Sequence, residues 1–214
     1  EQPKAVKDTL NSVLKDGAID LSEVGLTEED IQKISQIYIV ACGSAYHVGM
    51  AAQYVIEDLA RIPVRVELAS EFRYRNPILK KDDIFIVISQ SGETADTLEA
   101  LRIAKKCGAK VIAITNTVGS SVSREADRVI YTWAGPEIAV ASTKAYTTQL
   151  MCLYLLAIKM GEVRGTIAKD DYLRLLKQLE EIPEKAKRIV ENQPVIQKFA
   201  SEQFNKAKIF YIGR

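Results

Sequence analysis

Two hydrophobic rhythms alternate along the first 160 residues of this chain. Short, β-branched runs stand at Gln36–Cys42, Val64–Leu68, Asp83–Ser89, Lys110–Thr115 and Arg128–Thr132, and those at 36–42 and 83–89 are apolar almost throughout. That is the pattern of strands buried on both faces. Between them, apolar positions recur at the spacing of amphipathic helices. The predicted helices cover 4–15, a short stretch from Thr27, about 46–60, 94–107 and 142–160, with a turn or short helix at 121–126. Gly17 and Gly108 stand where helices should stop, and Ser142 where one should start. Glu28, Glu29 and Asp30 suit the positive end of a helix dipole. Strand followed by helix, repeated, predicts an α/β fold with a doubly wound five-stranded parallel sheet. In such sheets ligands bind outside the carboxyl ends of the strands.

Beyond Met160 the rhythm changes. Residues 168–206 are charged and helical, cut into three pieces by Pro183 and Pro194, and a last β-branched run begins at Lys208. The predicted division is a helical lead-in at 1–35, an α/β domain at 36–165, a helical linker at 166–207, and at 208–214 the first strand of a second α/β unit that is cut short. Apolar residues make up 47% and the net charge is +1, which excludes disorder and gives no broad attraction to nucleic acid. The longest apolar run, Leu150–Ile158, is too short to span a membrane. That run and the aromatic, charged segment 69–75 exceed what one small lobe needs to bury, which predicts self-association. Three scattered cysteines and a single histidine offer no zinc site and point to a reduced, cytoplasmic setting.

Chemistry is therefore sought after each strand. Ser89-Gln90-Ser91-Gly92-Glu93-Thr94 sets three hydroxyls around a glycine between a strand and a helix. Helix capping alone explains one such hydroxyl; three together, beside helix-start N–H groups, make an anion site suited to a phosphate monoester. Cys42-Gly43-Ser44 opens the loop after the first strand but has no dinucleotide-binding glycine pattern. Cys42 reads as a small buried residue and His47 as a packed or partly solvated one. The polar loop 115–121 is of the kind that closes a ligand cleft, or merely forms a turn. Glu137 and Lys144 fit an ion pair, solvent exposure or the site itself, and the arginines of 69–75 fit salt bridges or an interface.

Several of these segments together resemble one family. Ser89-Gln90-Ser91-Gly92-Glu93-Thr94-Ala95-Asp96-Thr97 is similar to the phosphate loop of sugar isomerase (SIS) domains. Ala69–Arg75, Val140–Gln149, Glu1-Gln2-Pro3 and Cys42-Gly43-Ser44 resemble the glutamine–fructose-6-phosphate aminotransferases. The resemblance implies the flavodoxin-like, three-layer αβα SIS fold. It also implies conversion of fructose-6-phosphate to glucosamine-6-phosphate with ammonia from glutamine. Ser89, Gln90, Ser91 and Thr94 would hold the phosphate; Cys42, Gly43, Ser44, Val140 and Ser142 would line the sugar. The family often has Thr then Ser after its Cys-Gly pair, where this chain has Ser44 then Ala45. The expected ligand is fructose-6-phosphate, glucosamine-6-phosphate or glucose-6-phosphate, with no cofactor and no metal. The family's catalytic base, Schiff-base lysine and histidine lie in a second SIS lobe, a C-terminal tail and a neighbouring subunit, and its glutaminase domain lies upstream. None of these matches a segment here, so the chain by itself is expected to be inactive and to pair as a homodimer. A stand-alone phosphosugar-sensing module, and a one-lobe isomerase using Glu93 or Glu137, are the competing readings.

Overall fold

A computed structural model describes residues 1–138 and 141–210. The chain opens with α1 (Gln2–Val13), a small hairpin of β1 (Leu14–Lys15) and β2 (Ala18–Ile19), and α2 (Glu28–Lys33). Next come β3 (Gln36–Ala41), α3 (Gly43–Ala60), β4 (Val64–Leu68), α4 (Ala69–Phe72), β5 (Asp83–Ser89) and α5 (Ala95–Lys106). Then follow β6 (Lys110–Thr115), α6 (Ser121–Glu125), β7 (Arg128–Tyr131) and α7 (Lys144–Arg164). Three helices finish it: α8 (Lys169–Glu180), α9 (Ile182–Glu191) and α10 (Gln193–Gln203). No helix among the described residues is long and apolar enough to cross a membrane.

Five of the strands form one sheet in the order β4-β3-β5-β6-β7, all neighbours parallel. Counted among themselves these strands run 2-1-3-4-5, the flavodoxin-like order. Period-two alternation divides the core between two faces. Ile37, Ile39, Ile84, Ile86 and Ile112 join α1, α3 and α7 on one side. Tyr38, Val40, Phe85, Val87 and Val111 join α4, α5 and α6 on the other. All seven residues of β5 are buried, so no polar position interrupts it in the sequence. Helices α3 and α7 meet with no room to spare. A Cβ added to Gly161 would stand 2.8 Å from the Leu59 carbonyl oxygen.

Some boundaries differ from the sequence reading, each for a local reason. Gly17 does not end α1, which stops at Val13. Asp16 and Gly17 both have positive φ, 51° and 75°, and close the two-residue turn between β1 and β2. Asp-Gly is favoured in that turn, and the helical spacing before it hid the signal. Helix α3 starts at Gly43 rather than near Tyr46, because Gly43 (φ 57°) turns the chain straight out of β3. Helix α7 lies later than 142–160 at both ends, with Thr143 rather than Ser142 at its N-cap. Met151–Leu153 and Leu155–Ile158 are buried, so most of the apolar run in α7 is core, with Leu150 and Tyr154 half-buried against it. Pro183 and Pro194 stand in the first turns of α9 and α10, where a missing N–H costs nothing. Residues 208–210 have no regular structure, and the rest of the run read as a strand lies outside the described residues.

Candidate functional site

The chain leaves β3 and β5 towards opposite faces of the sheet, into α3 and α5 respectively. A crevice therefore opens between the carboxyl ends of these two neighbouring strands. A cleft of ≈ 210 Å³ occupies it. Cys42, Ser44 and Ala45 line it from the β3–α3 junction, and Ile88, Ser89, Gln90, Ser91 and Thr94 from the end of β5 and its loop. Glu137, Ser142 and Gln149 come from the segment before α7 and from α7 itself. Gly43 lies between two lining residues, and Val140 is outside the described residues.

Hydroxyls at helix starts ordinarily cap them, and here they do not. Thr94 is the N-cap of α5, yet its side chain accepts no helix N–H; its hydroxyl meets Ser89 Oγ at 2.9 Å. The buried Ser89 Oγ also accepts from the Gly92 N–H at 3.0 Å. Exposed Ser91 accepts from the Glu93 N–H at 3.2 Å. Helix α3, with Cys42 at its N-cap, has no side-chain cap either. Two helix N-termini thus reach one rim without side-chain acceptors, each with the positive end of its dipole. An anion is what such a rim attracts.

The loop after β5 is braced from behind. The Gln90 carbonyl accepts from the Asn116 N–H at 3.1 Å, and the Gly92 carbonyl from the Val122 N–H at 3.0 Å. Gly92 has φ 67°, and a Cβ there would stand 2.0 Å from Ser120 Oγ. The polar loop 115–121 therefore buttresses the hydroxyl loop and lines none of the cleft, contrary to the closing role its composition suggested.

The ionisable groups are engaged elsewhere. Glu93 accepts from the Ser121 N–H at 2.7 Å, and hydrogen bonds from Ser121 hold its carboxyl below the usual range. Glu137 accepts from Thr143 Oγ1 and from the Ala145 N–H, each at 2.9 Å, and so caps α7. Lys144 is buried and paired with Glu1; it lines a neighbouring hollow and not the cleft. His47 is exposed on α3, its ring edge-on to Tyr46 at 5.4 Å, and does not line the cleft. Arg73 pairs with Asp96 and Arg75 with Glu67. Cys152 is fully buried and its thiol is pushed up to about 12 by desolvation. Among the described residues no group of His, Cys, Asp and Glu is placed to hold a metal ion.

One polar lining residue, Gln149, was given no site role by the sequence. Gln149 sits on α7 at 3% exposure. Its signal was a polar residue on an otherwise apolar face, between Ala145 and Cys152, Leu153 and Leu156.

The family model for the SIS domain matches residues 30–159. Over its whole length the chain is 58% identical to a glutamine–fructose-6-phosphate aminotransferase (isomerizing) of Caldanaerobacter subterraneus subsp. tengcongensis. It is 55% identical to the corresponding protein of Clostridium tetani. The C-terminal domain of glucosamine-fructose-6-phosphate aminotransferase from Francisella tularensis superposes with a TM-score of 0.90 at 38% identity. That match covers 96% of this chain and 58% of the solved one. The chain spans 35% of the length of each of the two aminotransferases.

Proposed function

The chain belongs to the SIS domain family, and from that premise we propose that it is the sugar-phosphate-binding lobe of a glutamine–fructose-6-phosphate aminotransferase. The parent enzyme would convert fructose-6-phosphate and glutamine to glucosamine-6-phosphate. One observation carries the reading: three hydroxyls and two uncapped helix starts converge on a cleft at the sheet's switch point. In the proposal Ser91 and Thr94, with the first N–H groups of α5, bind the phosphate. Ser89 and Gln90 hold that loop in shape beside it. Cys42, Gly43, Ser44, Ser142 and, outside the described residues, Val140 line the sugar. Each donor to a dianion contributes about 1.5–3 kcal/mol.

The cleft binds but offers little to move a proton or form an imine. Among the described residues its one carboxylate, Glu137, is a helix cap, and no lysine lines it. A base, an amine and the ammonia supply would come from the parts of the parent outside this third of its length: a glutaminase domain, a second SIS lobe and a tail. This also weighs against a one-lobe isomerase, because Glu93 is tied to Ser121. The division at 1–35, 36–165, 166–207 and 208–214, the homodimer and the cytoplasmic setting belong to the same proposal. Preferential binding to the folded state raises the melting temperature, so fructose-6-phosphate in phosphate-free buffer should raise it. The chain alone should form no glucosamine-6-phosphate from fructose-6-phosphate with glutamine or ammonia. An unchanged melting temperature at millimolar ligand, or turnover above a buffer blank, counts against this reading.

A further inference from the structure

Gln149 is the lining residue for which the fold supplies no purpose. It lies in the second turn of α7 at 3% exposure. Its carboxamide has no hydrogen-bond partner among the described residues, while neighbouring Thr148 bonds the Ala145 carbonyl at 3.1 Å. The amide is not among the side-chain polar atoms sealed from solvent without a partner, so the polar end of this otherwise buried residue reaches open space. What Gln149 faces is the cleft. A carboxamide offers two N–H donors and a carbonyl acceptor, the complement of a hydroxyl that both donates and accepts. The hydroxyl loop and the α5 N-terminus already suit the phosphate, which leaves the amide for the sugar part.

We infer that Gln149 is a specificity residue that reads a hydroxyl of the sugar part of a sugar phosphate. The inference rests on the proposed ligand class and adds to it the group that separates a polyol phosphate from phosphate itself. A sugar hydroxyl in the cleft would use both the donor and the acceptor of the amide. A ligand without the hydroxyl leaves them empty, which is how polar pockets reject analogues.

The test is calorimetric titration of this chain and its Gln149→Met variant with fructose-6-phosphate and, separately, with inorganic phosphate. Methionine keeps the length and removes the hydrogen bonds. Gln149→Asn, which withdraws the amide by one methylene, is the second variant and preserves polarity should the first fail to fold. Each variant should bind fructose-6-phosphate about tenfold more weakly and inorganic phosphate within about twofold of the parent chain. Unchanged affinity for fructose-6-phosphate in a folded variant overturns the inference and leaves the phosphate site standing. Equal losses for both ligands overturn it too, since Gln149 would then act through the fold. A parent chain that binds inorganic phosphate but not fructose-6-phosphate ends the inference together with the sugar reading. A parent that binds neither ends the site proposal as a whole.

Discussion

Ser89 and Ser91 stand two residues apart in one loop, yet they should respond differently to the loss of a hydroxyl. Ser89 is buried, and its oxygen serves Thr94 and the Gly92 N–H. Ser89→Ala leaves a buried N–H without its acceptor, a loss of about 1–3 kcal/mol, read as a lower denaturant midpoint. Ser91 is exposed and its bond to the Glu93 N–H is long. Ser91→Ala should keep stability within about 0.5 kcal/mol and weaken fructose-6-phosphate binding about tenfold or more. A Ser89→Ala variant as stable as the parent would remove the scaffold role assigned to that residue. The hydroxyl motif was legible because its residue types and spacing are local. Which hydroxyl braces and which one faces the ligand was not, because burial depends on Ser120 and Asn116, more than twenty residues away.

Element contacts set two further expectations. At Gly161 of α7, alanine gains about 1 kcal/mol of helix propensity. It also places a Cβ 2.8 Å from the Leu59 carbonyl oxygen, and forcing backbone apart in a packed core costs typically about 1–3 kcal/mol. Overpacking should win, so Gly161→Ala unfolds at lower denaturant; an unchanged or higher midpoint refutes the close α3–α7 contact. The start of α2 gives a pH dependence. Asp30 completes a capping box with Thr27 and meets Lys110 Nζ at 2.9 Å. Hydrogen bonds from Lys110 and Thr27 lower its carboxyl from 3.8 to about 2. A folded-state value below the unfolded one means the stabilisation is present above about pH 4 and is lost as pH falls through about 2. Asp30→Asn should therefore be less stable than the parent at pH 6, with the two converging by pH 2 in parallel denaturation curves. Equal stability at pH 6 sinks the assignment.

For the whole molecule, the open question is what covers the last two helices. Neither α9 nor α10 has a buried residue. Val195 (62% exposed), Phe199 (65%) and Ile189 (67%) are apolar and in water, more than polar helices need. Apolar surface beyond that expected in α7 and 69–75, where Tyr74 is exposed, thus lies in the charged tail, where the sequence suggested only a linker. The chain should sediment as an oligomer at high concentration, and Phe199→Lys with Val195→Lys should shift it towards monomer while leaving its melting temperature nearly unchanged. A parent chain that remains monomeric across the concentration range contradicts the proposed self-association.

The sequence by itself determined the five strands of the main sheet, their alternation with helices and the polar character of the loop after β5. Those follow from short-range facts: unbroken apolar runs for doubly buried strands, and hydroxyls beside a glycine at a strand's end. It also carried the family resemblance, because the motifs recur in fixed order. Only the tertiary structure decided the strand order, which residues share the cleft, and which charges are already used. Glu137 and Glu93 were candidates only for the competing one-lobe isomerase, and the starts of α7 and α6 occupy them. Gln149 stood in the sequence only as the end of the Val140–Gln149 segment, and the fold sets it in the lining of one cleft with Ser142 and the hydroxyl loop. The physical reason is the same in each case: a polar group's role depends on whether a partner is within reach, and partners distant in sequence are brought there only by folding.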